Sequence, residues 1–524
     1  MIPLYSDEIL FKMMQAAAFV NDGNLVNLLP QCDAGIALPL PLSWYPAALI
    51  YQLLYQGLSP LMIRASGVFI ALFFVGFSAI CLRLIAKNQG SSQYVATLFL
   101  AGIGVGLIPT TLVLSRPEQW LLLCLSYFIL CPLLYLKSKP SHRFFLPKFL
   151  LYCICTSLIF YAHPKSLFFI PVVLTSGLII FRGNRIYQVA ALGLSVFCAL
   201  QTFLFSKEAM ICSKAPIAAS FIASQTLNIA EFIHQPKVLF NLFYIYLSAF
   251  PEKAIQYSIF RNEYFVNWLP SLPEGEVLNG LPIFINGVIY YFIYALFFAG
   301  LVMPIISLLA AIFARRVGLF HLMIAAVWVS VIGHLILYVN YNFYAVSLVI
   351  GILIILALLS AIDIPWPKCR RIPGYLVYFL VFSLFILSAF VNITTLVPRL
   401  VEPLNSWQGL QVYGQPSSVQ TFHYSDQRER VRKLARSCGI TGDGTKHLVV
   451  DNLTYFAFDN LHEPMHLANI SEKGSGQDIK QDDFLSFLDG MRSPGIVGRC
   501  WLFPDSVRRA ANEDDGICCL GLNR

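Results

Sequence analysis

Charge is the scarcest thing in this sequence. Asp, Glu, Lys and Arg make up 12% of its 524 residues, about half of what a soluble domain carries. That shortfall excludes an ordinary water-soluble globule, and a 57% hydrophobic share with a mean hydropathy of +0.68 takes its place. Zinc-ligand spacing is missing among the thirteen cysteines, and the adjacent Cys518-Cys519 cannot serve as a paired CxxC. No internal repeat is visible. Met1 to Ser6 has no basic n-region and no apolar h-region. The net charge of +8 does not point to nucleic acid, because Lys and Arg sit in short loops between apolar runs and read as topology signals.

What is present is a series of apolar runs, each about the 20 residues a helix needs to cross the hydrocarbon core. Ten candidates stand at about 61–86, 93–114, 118–136, 146–162, 165–182, 187–206, 282–313, 319–338, 342–362 and 375–397. The expected fold is a polytopic α-helical membrane protein of about 10–11 transmembrane helices carrying a small C-terminal α/β soluble domain. The loops holding Arg83 and Lys87, Lys137 to Lys148, Arg182 and Arg185, Arg315 and Arg316, and Lys368 to Arg371 alternate with poorly basic ones. By the positive-inside bias they are cytoplasmic. The other face then holds 1–60, the turns at Arg116 and His163, the loop 207–280 and everything after 398. Residues 1–60 reach that face either behind a helix preceding Met1 or carried across by the first spans. The expected division is 1–60, an outer interfacial segment; 61–397, the transmembrane region; and 398–524, the soluble outer-face domain.

Between these blocks lie pieces that do not read as spans. Residues 9–30 are mildly amphipathic and suit the interface, and 36–58 are broken by Pro39, Pro41 and Pro46. The run 238–250 is too short to cross comfortably and reads as interfacial. After 398, Ser425–Cys438 reads as a charged helix, 446–451 as a buried strand, 481–491 as a helix, and 496–503 and 516–522 as strands, a small α/β pattern. Asp451 ends its strand, where it caps the next helix or touches a ligand. Cysteines in the spans are packing residues, whereas those outside can persist as disulfides. Cys438 closes a helix and Cys500 lies in a core strand, so Cys438–Cys500 is the expected pair.

Ionisable side chains at a membrane face are costly unless used. Three clusters share one face: Ser6-Asp7-Glu8, Arg116-Pro117-Glu118 and His163-Pro164-Lys165. Far apart in sequence, they are brought to one depth by the topology. A carboxylate there can act as general base, and Arg and Lys can stabilise a departing phosphate. Each cluster also has a plain reading. Asp7-Glu8 can be the solvated start of a helix, Arg116 can snorkel while Glu118 pairs with it, and His163 can cap its helix.

The acidic pair of the first outer segment, the run Leu42-Ser43-Trp44-Tyr45-Pro46 followed by Leu61-Met62-Ile63-Arg64, and Arg116-Pro117-Glu118 together resemble the integral membrane glycosyltransferases of the GT-C type. In layout the chain is similar to the aminoarabinose and protein mannosyl transferases. The resemblance covers about 1–400 and implies a polyprenyl-phosphate sugar donor, a glycan, lipid or protein acceptor, and inverting transfer at the outer face of a bacterial inner membrane. It places the catalytic base at Asp7 with Glu8 in support; a divalent cation, where one is used, falls to the same pair. Relatives place an Arg in an aromatic stretch opening a late span. Here that stretch is Asn340-Tyr341-Asn342-Phe343-Tyr344-Ala345, without Arg. The donor phosphate then falls to Arg116, Lys165, Lys207, Lys214 or Arg261, with Glu118, His163 and Tyr344 supporting. Members also have a span ahead of the acidic motif, which favours a helix preceding Met1. The competing readings are a transporter or flippase of lipid-linked sugars, which the lack of repeats and of midplane charge disfavours, a glycan polymerase or ligase, and a purely structural assembly protein.

Overall fold

The structure is a computed structural model. It describes residues 4–5, 8, 45–55, 59–87, 92–106, 108–137, 145–211, 281–337, 343–364, 378–390, 411–412, 415–416, 418–419, 424–459, 461–473 and 479–522, with isolated positions between 220 and 244 and at 393. The expected interfacial stretches 9–30 and 238–250 lie outside the described residues, apart from two isolated positions in the second.

Apolar runs become helices because lipid leaves the backbone no other partner. In chain order they are α1 (Tyr45–Tyr55), α2 (Pro60–Ala86), α3 (Ser92–Gly104), α4 (Pro117–Lys137), α5 (Phe145–Ala162), α6 (Ile170–Ile180), α7 (Arg185–Met210), α8 (Leu281–Phe313), α9 (Leu319–Leu337), α10 (Phe343–Asp363) and α11 (Tyr378–Phe390). Six of them, α2, α4, α5, α7, α8 and α9, are long and apolar enough to cross a membrane. Four shorter apolar helices, with α6 extended by the 3-10 turn Pro164–Phe169, stand at the other four positions that the hydropathy pattern marks. The protein is an integral multi-pass membrane protein. Helix α1 is about 16 Å long, roughly half the hydrocarbon core, and packs through Ala47, Ala48, Tyr51 and Tyr55.

The outward faces are apolar as well. Phe69 on α2, Ile186 on α7 and Tyr291 on α8 are each at least 70% exposed, which suits lipid and not water. Inside, helices approach closely where a side chain is missing. A Cβ on Gly300 of α8 would lie 2.6 Å from the Leu353 Cβ of α10, the close-packing device of membrane helices. Helix α2 begins cleanly because the Ser59 hydroxyl caps it and Pro60 stands in its first turn.

Two short ribbons precede the α/β part: β1 (Leu4–Tyr5), β2 (Gln411–Val412), β3 (Gln415–Pro416) and β4 (Ser418–Val419), with β2 on β3 and β1 antiparallel to β4. The α/β part follows as α12 (Tyr424–Ser437), β5 (Val449–Val450), β6 (Met465–His466), α13 (Phe484–Gly490), β7 (Gly495–Arg499), β8 (Asn512–Asp514) and β9 (Ile517–Gly521). The sheet order is β6-β5-β7-β9-β8, parallel across β6, β5 and β7 and antiparallel beyond. Successive strand residues point to opposite faces. Val450, Val497 and Cys519 therefore join α12 in one core, while Val449, Ile496 and Cys518 join α13 in the other.

That alternation corrects the expected disulfide. Cys438 pairs with Cys519 and Cys500 with Cys518, not Cys438 with Cys500, because the end of α12 and Cys500 lie on opposite faces of the sheet. The adjacent Cys518 and Cys519 serve one face each. The expected strand 496–503 also ends early: the chain leaves β7 at Arg499 and turns through the 3-10 segment Cys500–Leu502.

Asp451, just past β5, closes the turn 452–454 and does not cap the next helix as expected: the 3-10 segment Tyr455–Ala457 has Thr454 at its N-cap. Its Oδ1 accepts from the Leu453 and Thr454 N–H groups, and its Oδ2 from Arg499 N and Nε, each of the latter at 2.8 Å. Burial raises this carboxyl, but the Arg499 charge and the hydrogen bonds from Arg499 and Thr454 outweigh it and hold the group below the usual carboxylate range. A depressed folded-state value contributes stability above the unfolded value, near 4, and loses it as pH falls through the folded one. Acid is therefore expected to strip protease resistance from 424–522 below about pH 4. Asp451→Asn, which leaves Arg499 buried beside a neutral group, should lower resistance already at pH 7 and flatten the acid response. Identical acid profiles for the two proteins would remove Asp451 from this role.

The α/β part rests on the bundle. Tyr424 and Leu453 belong to the same apolar cluster as the transmembrane helices, with Tyr455 and Phe456 packed against it.

Candidate functional site

At the end of the bundle where α2 and α4 begin, two buried ion clusters adjoin. The first is built on Glu8. Arg64, in the first turns of α2, meets its carboxylate with both arms: Nη1 to Oε1 at 2.9 Å and Nη2 to Oε2 at 2.7 Å. Both side chains are shut off from solvent. Arg64 Nη1 also donates to the Val113 carbonyl at 2.9 Å, and the Ser115 N–H donates to Glu8 Oε1 at 2.7 Å. The segment before α4 can lie this close because residue 67 is glycine: a Cβ there would sit 2.5 Å from Val113 O. The Gln119 amide donates to the carbonyls of Gly67 and Leu112, fixing the same turn.

The second cluster starts one residue on. Arg116 Nε approaches Glu118 Oε2 at 3.4 Å, and Lys165 Nζ lies 2.6 Å from Glu118 Oε1. All three are buried. Two cations from separate hairpins thus converge on one carboxylate at the start of α4. Arg116 does not snorkel away from the protein. His163 caps the 3-10 turn as expected, its Nδ1 accepting from the Lys165 N–H at 3.0 Å. His334, in the last turn of α9, lies edge-on to Phe168 and tilted against Phe169, beside the Lys165 turn. Tyr51 stacks on Tyr55, meets Trp120 edge-on and lies tilted against Tyr161, and Trp120 Nε1 donates to Tyr55 Oη at 3.1 Å. This aromatic group walls the start of α4.

Of the residues singled out from sequence, Arg116, Glu118 and Lys165 meet directly, with His163 at the margin and Glu8 joined through Ser115. Lys207 lies at the end of α7, exposed and outside the buried group. Tyr344 stands in the first turn of α10. Asp7, Lys214, Arg261 and Asn340 to Asn342 lie outside the described residues. Arg64 was missed as a site residue, and its signal was there: a guanidinium near the start of a long apolar run needs a partner in hydrocarbon.

Both Glu8 oxygens are engaged by Arg64, and Oε1 by Ser115 as well, which makes Glu8 an anchor and not an exposed base. The same engagement makes it a poor ligand for a cation. Among the described residues, the group of His, Cys, Asp or Glu close enough to share an ion is Cys500, Glu513 and Cys518, and a disulfide takes both sulfurs.

No protein-family model and no curated protein matches the chain. Two solved structures are similar to it at 11% identity. One is the Archaeoglobus fulgidus oligosaccharyltransferase in the apo form, with a TM-score of 0.42 over 95% of this chain and 66% of that one. The other is the archaeal oligosaccharyltransferase AglB from the same organism, in complex with an inhibitory peptide and a dolichol-phosphate, with a TM-score of 0.38 and the same coverage. The chain thus spans about two thirds of the length of these proteins. Likeness this distant assigns neither family nor activity.

Proposed function

We propose that the protein is a GT-C type glycosyltransferase that moves a sugar from a polyprenyl-phosphate donor to an acceptor at the outer membrane face. The observation that carries this reading is the convergence of Arg116 and Lys165 on Glu118, one residue from the turn that holds Glu8. A guanidinium and an ammonium held together in a buried setting suit a phosphate whose charge grows as the sugar leaves. Asp7 is the base, taking the proton from the acceptor as it attacks the anomeric carbon, and transfer inverts that centre. Glu8, locked to Arg64, sets where Asp7 stands. Two disulfides in the α/β part favour a compartment outside the cytoplasm, and the basic loops favour the opposite side for their own end.

Purified protein incubated with a panel of polyprenyl-phosphate sugars should release polyprenyl phosphate from at least one of them, faster than buffer alone. Release from none, with the protein folded and monodisperse, counts against glycosyl transfer. Orientation has its own test. An impermeant thiol reagent on spheroplasts is expected to label Arg436→Cys and not Lys139→Cys; the reverse pattern would invert the topology.

A further inference from the structure

The carboxyl ends of β5 and β7 point toward the bundle. Helix α12 runs antiparallel to them: its C-terminal Cys438 is tied to β9 beside the amino end of β7, where a Cβ on Gly521 would strike Cys438 O. Its first turn therefore lies at the carboxyl edge, where Tyr424 meets Phe456 edge-on. There the apolar cores change over. Tyr424 and Leu453 belong to the transmembrane cluster, while Val431 and Leu434, further along the same helix, belong to the α/β core. Gln427 sits between the two, fully buried.

Neither amide atom of Gln427 has a hydrogen-bond partner, nor does the Tyr424 hydroxyl. A buried carboxamide in this state is costly, and three such atoms within one helical turn make a pattern. On the same edge His466 and Asn452 are hydrogen-bonded to each other at 2.8 Å. The nearby cations are engaged through their terminal nitrogens, Arg428 with Asp459 and Arg432 with Asp443 and Asp459, while Arg428 Nε is buried without a hydrogen-bond partner.

We infer that the first turn of α12 and the turn after β5 bind a neutral saccharide, the sugar acceptor of the transfer, where the α/β part meets the membrane helices. A carboxamide offers donors and an acceptor together, and a phenol offers one of each. Vicinal hydroxyls, each donating and accepting, match that set without bringing a charge into an apolar boundary. The ring of Phe456 supplies an apolar face for the C–H side of a sugar. Burial holds the Tyr424 phenol above its ordinary range, so it stays a donor. The role as acceptor site rests on the glycosyl-transfer reading; the binding of saccharide does not.

The test uses the full chain in detergent with a panel of neutral hexose and N-acetylhexosamine trisaccharides, read by calorimetry and by thermal melting. Wild type should bind at least one trisaccharide. Gln427→Leu should weaken it about tenfold or more, the usual effect of losing hydrogen bonds to a neutral ligand. Without saccharide the same variant should melt higher than wild type, because an unsatisfied buried amide has gone. Tyr424→Phe should weaken binding less, and Arg116→Ala should leave it unchanged. Unaltered binding in Gln427→Leu, or binding of a neutral tripeptide where no trisaccharide binds, would overturn the inference. Trisaccharide binding without polyprenyl-phosphate release from any donor would sink the glycosyl-transfer reading and leave the saccharide site standing. Release of polyprenyl phosphate with no saccharide binding would do the opposite.

Discussion

Asp7→Asn is expected to lower turnover by about 10²–10⁴-fold, the usual contribution of a positioned general base, and to leave the affinity for the lipid-phosphate donor close to wild type. Arg116→Ala should show the reverse. Its guanidinium shares Glu118 with Lys165, so removing it takes away charge that meets phosphate, and the loss falls on donor binding. Arg116→Lys should recover part of it, since charge returns but the planar fork does not. Activity must be normalised to monodisperse protein, because Arg116 lies in a buried ion cluster and Asp7 precedes the buried Glu8 in the sequence. A purely structural role for the cluster predicts lower folded yield for both variants with near-normal specific activity. Near-normal turnover per folded molecule in Asp7→Asn would end its assignment as base.

The second large effect belongs to Arg64. Arg64→Ala leaves the Glu8 carboxylate buried without its two-armed partner, and breaking a buried pair from one side costs about 3–5 kcal/mol. Arg64→Lys keeps charge and one contact, and should fall between. The paired change Glu8→Gln with Arg64→Met removes both charges at similar volume and should restore much of the melting temperature, as neutral replacement of buried pairs often does. The activity of that double variant separates anchoring from chemistry. If Glu8 serves to place Asp7, the double variant folds and turns over slowly. Full activity in it would show that the pair holds the fold alone.

The membrane class was legible from end to end, because a span is a local property: about 20 apolar residues are enough to read it. The meeting of Arg116, Glu118 and Lys165 was legible at the level of depth, since alternating topology puts every second turn on one face. Which atoms pair was not, because that depends on how hairpins lean together. Arg64 was passed over for the same reason; it stands in a run whose apolar neighbours conceal that its partner lies 56 residues earlier. In the α/β part, α12 and β9 were visible from their patterns. Strand β5 was visible too, inside the buried run 446–451, whereas β6 is two residues, too short for a period to declare itself, and β8 is mostly exposed and polar. The disulfide pairing was not legible because a helix end and a core strand do not say which face of the sheet each cysteine meets, and the sheet divides Cys438 from Cys500.

The twin cysteines have a consequence for how that sheet is assembled. Moving β9 by one residue against β7 would turn Cys518 toward α12 and Cys519 toward Cys500, exchanging every inward and outward side chain of the strand. Hydrogen bonds alone tolerate such a slip; two sulfurs bound to opposite faces do not. Cys438 and Cys500 precede β9 in the chain, so both must wait for it, and each bond that forms fixes which neighbour remains for the other. The pair therefore acts as a lock: a slipped strand would again face one sulfur to each partner, but once Cys438–Cys519 and Cys500–Cys518 have closed, the strand is held in this register against local opening.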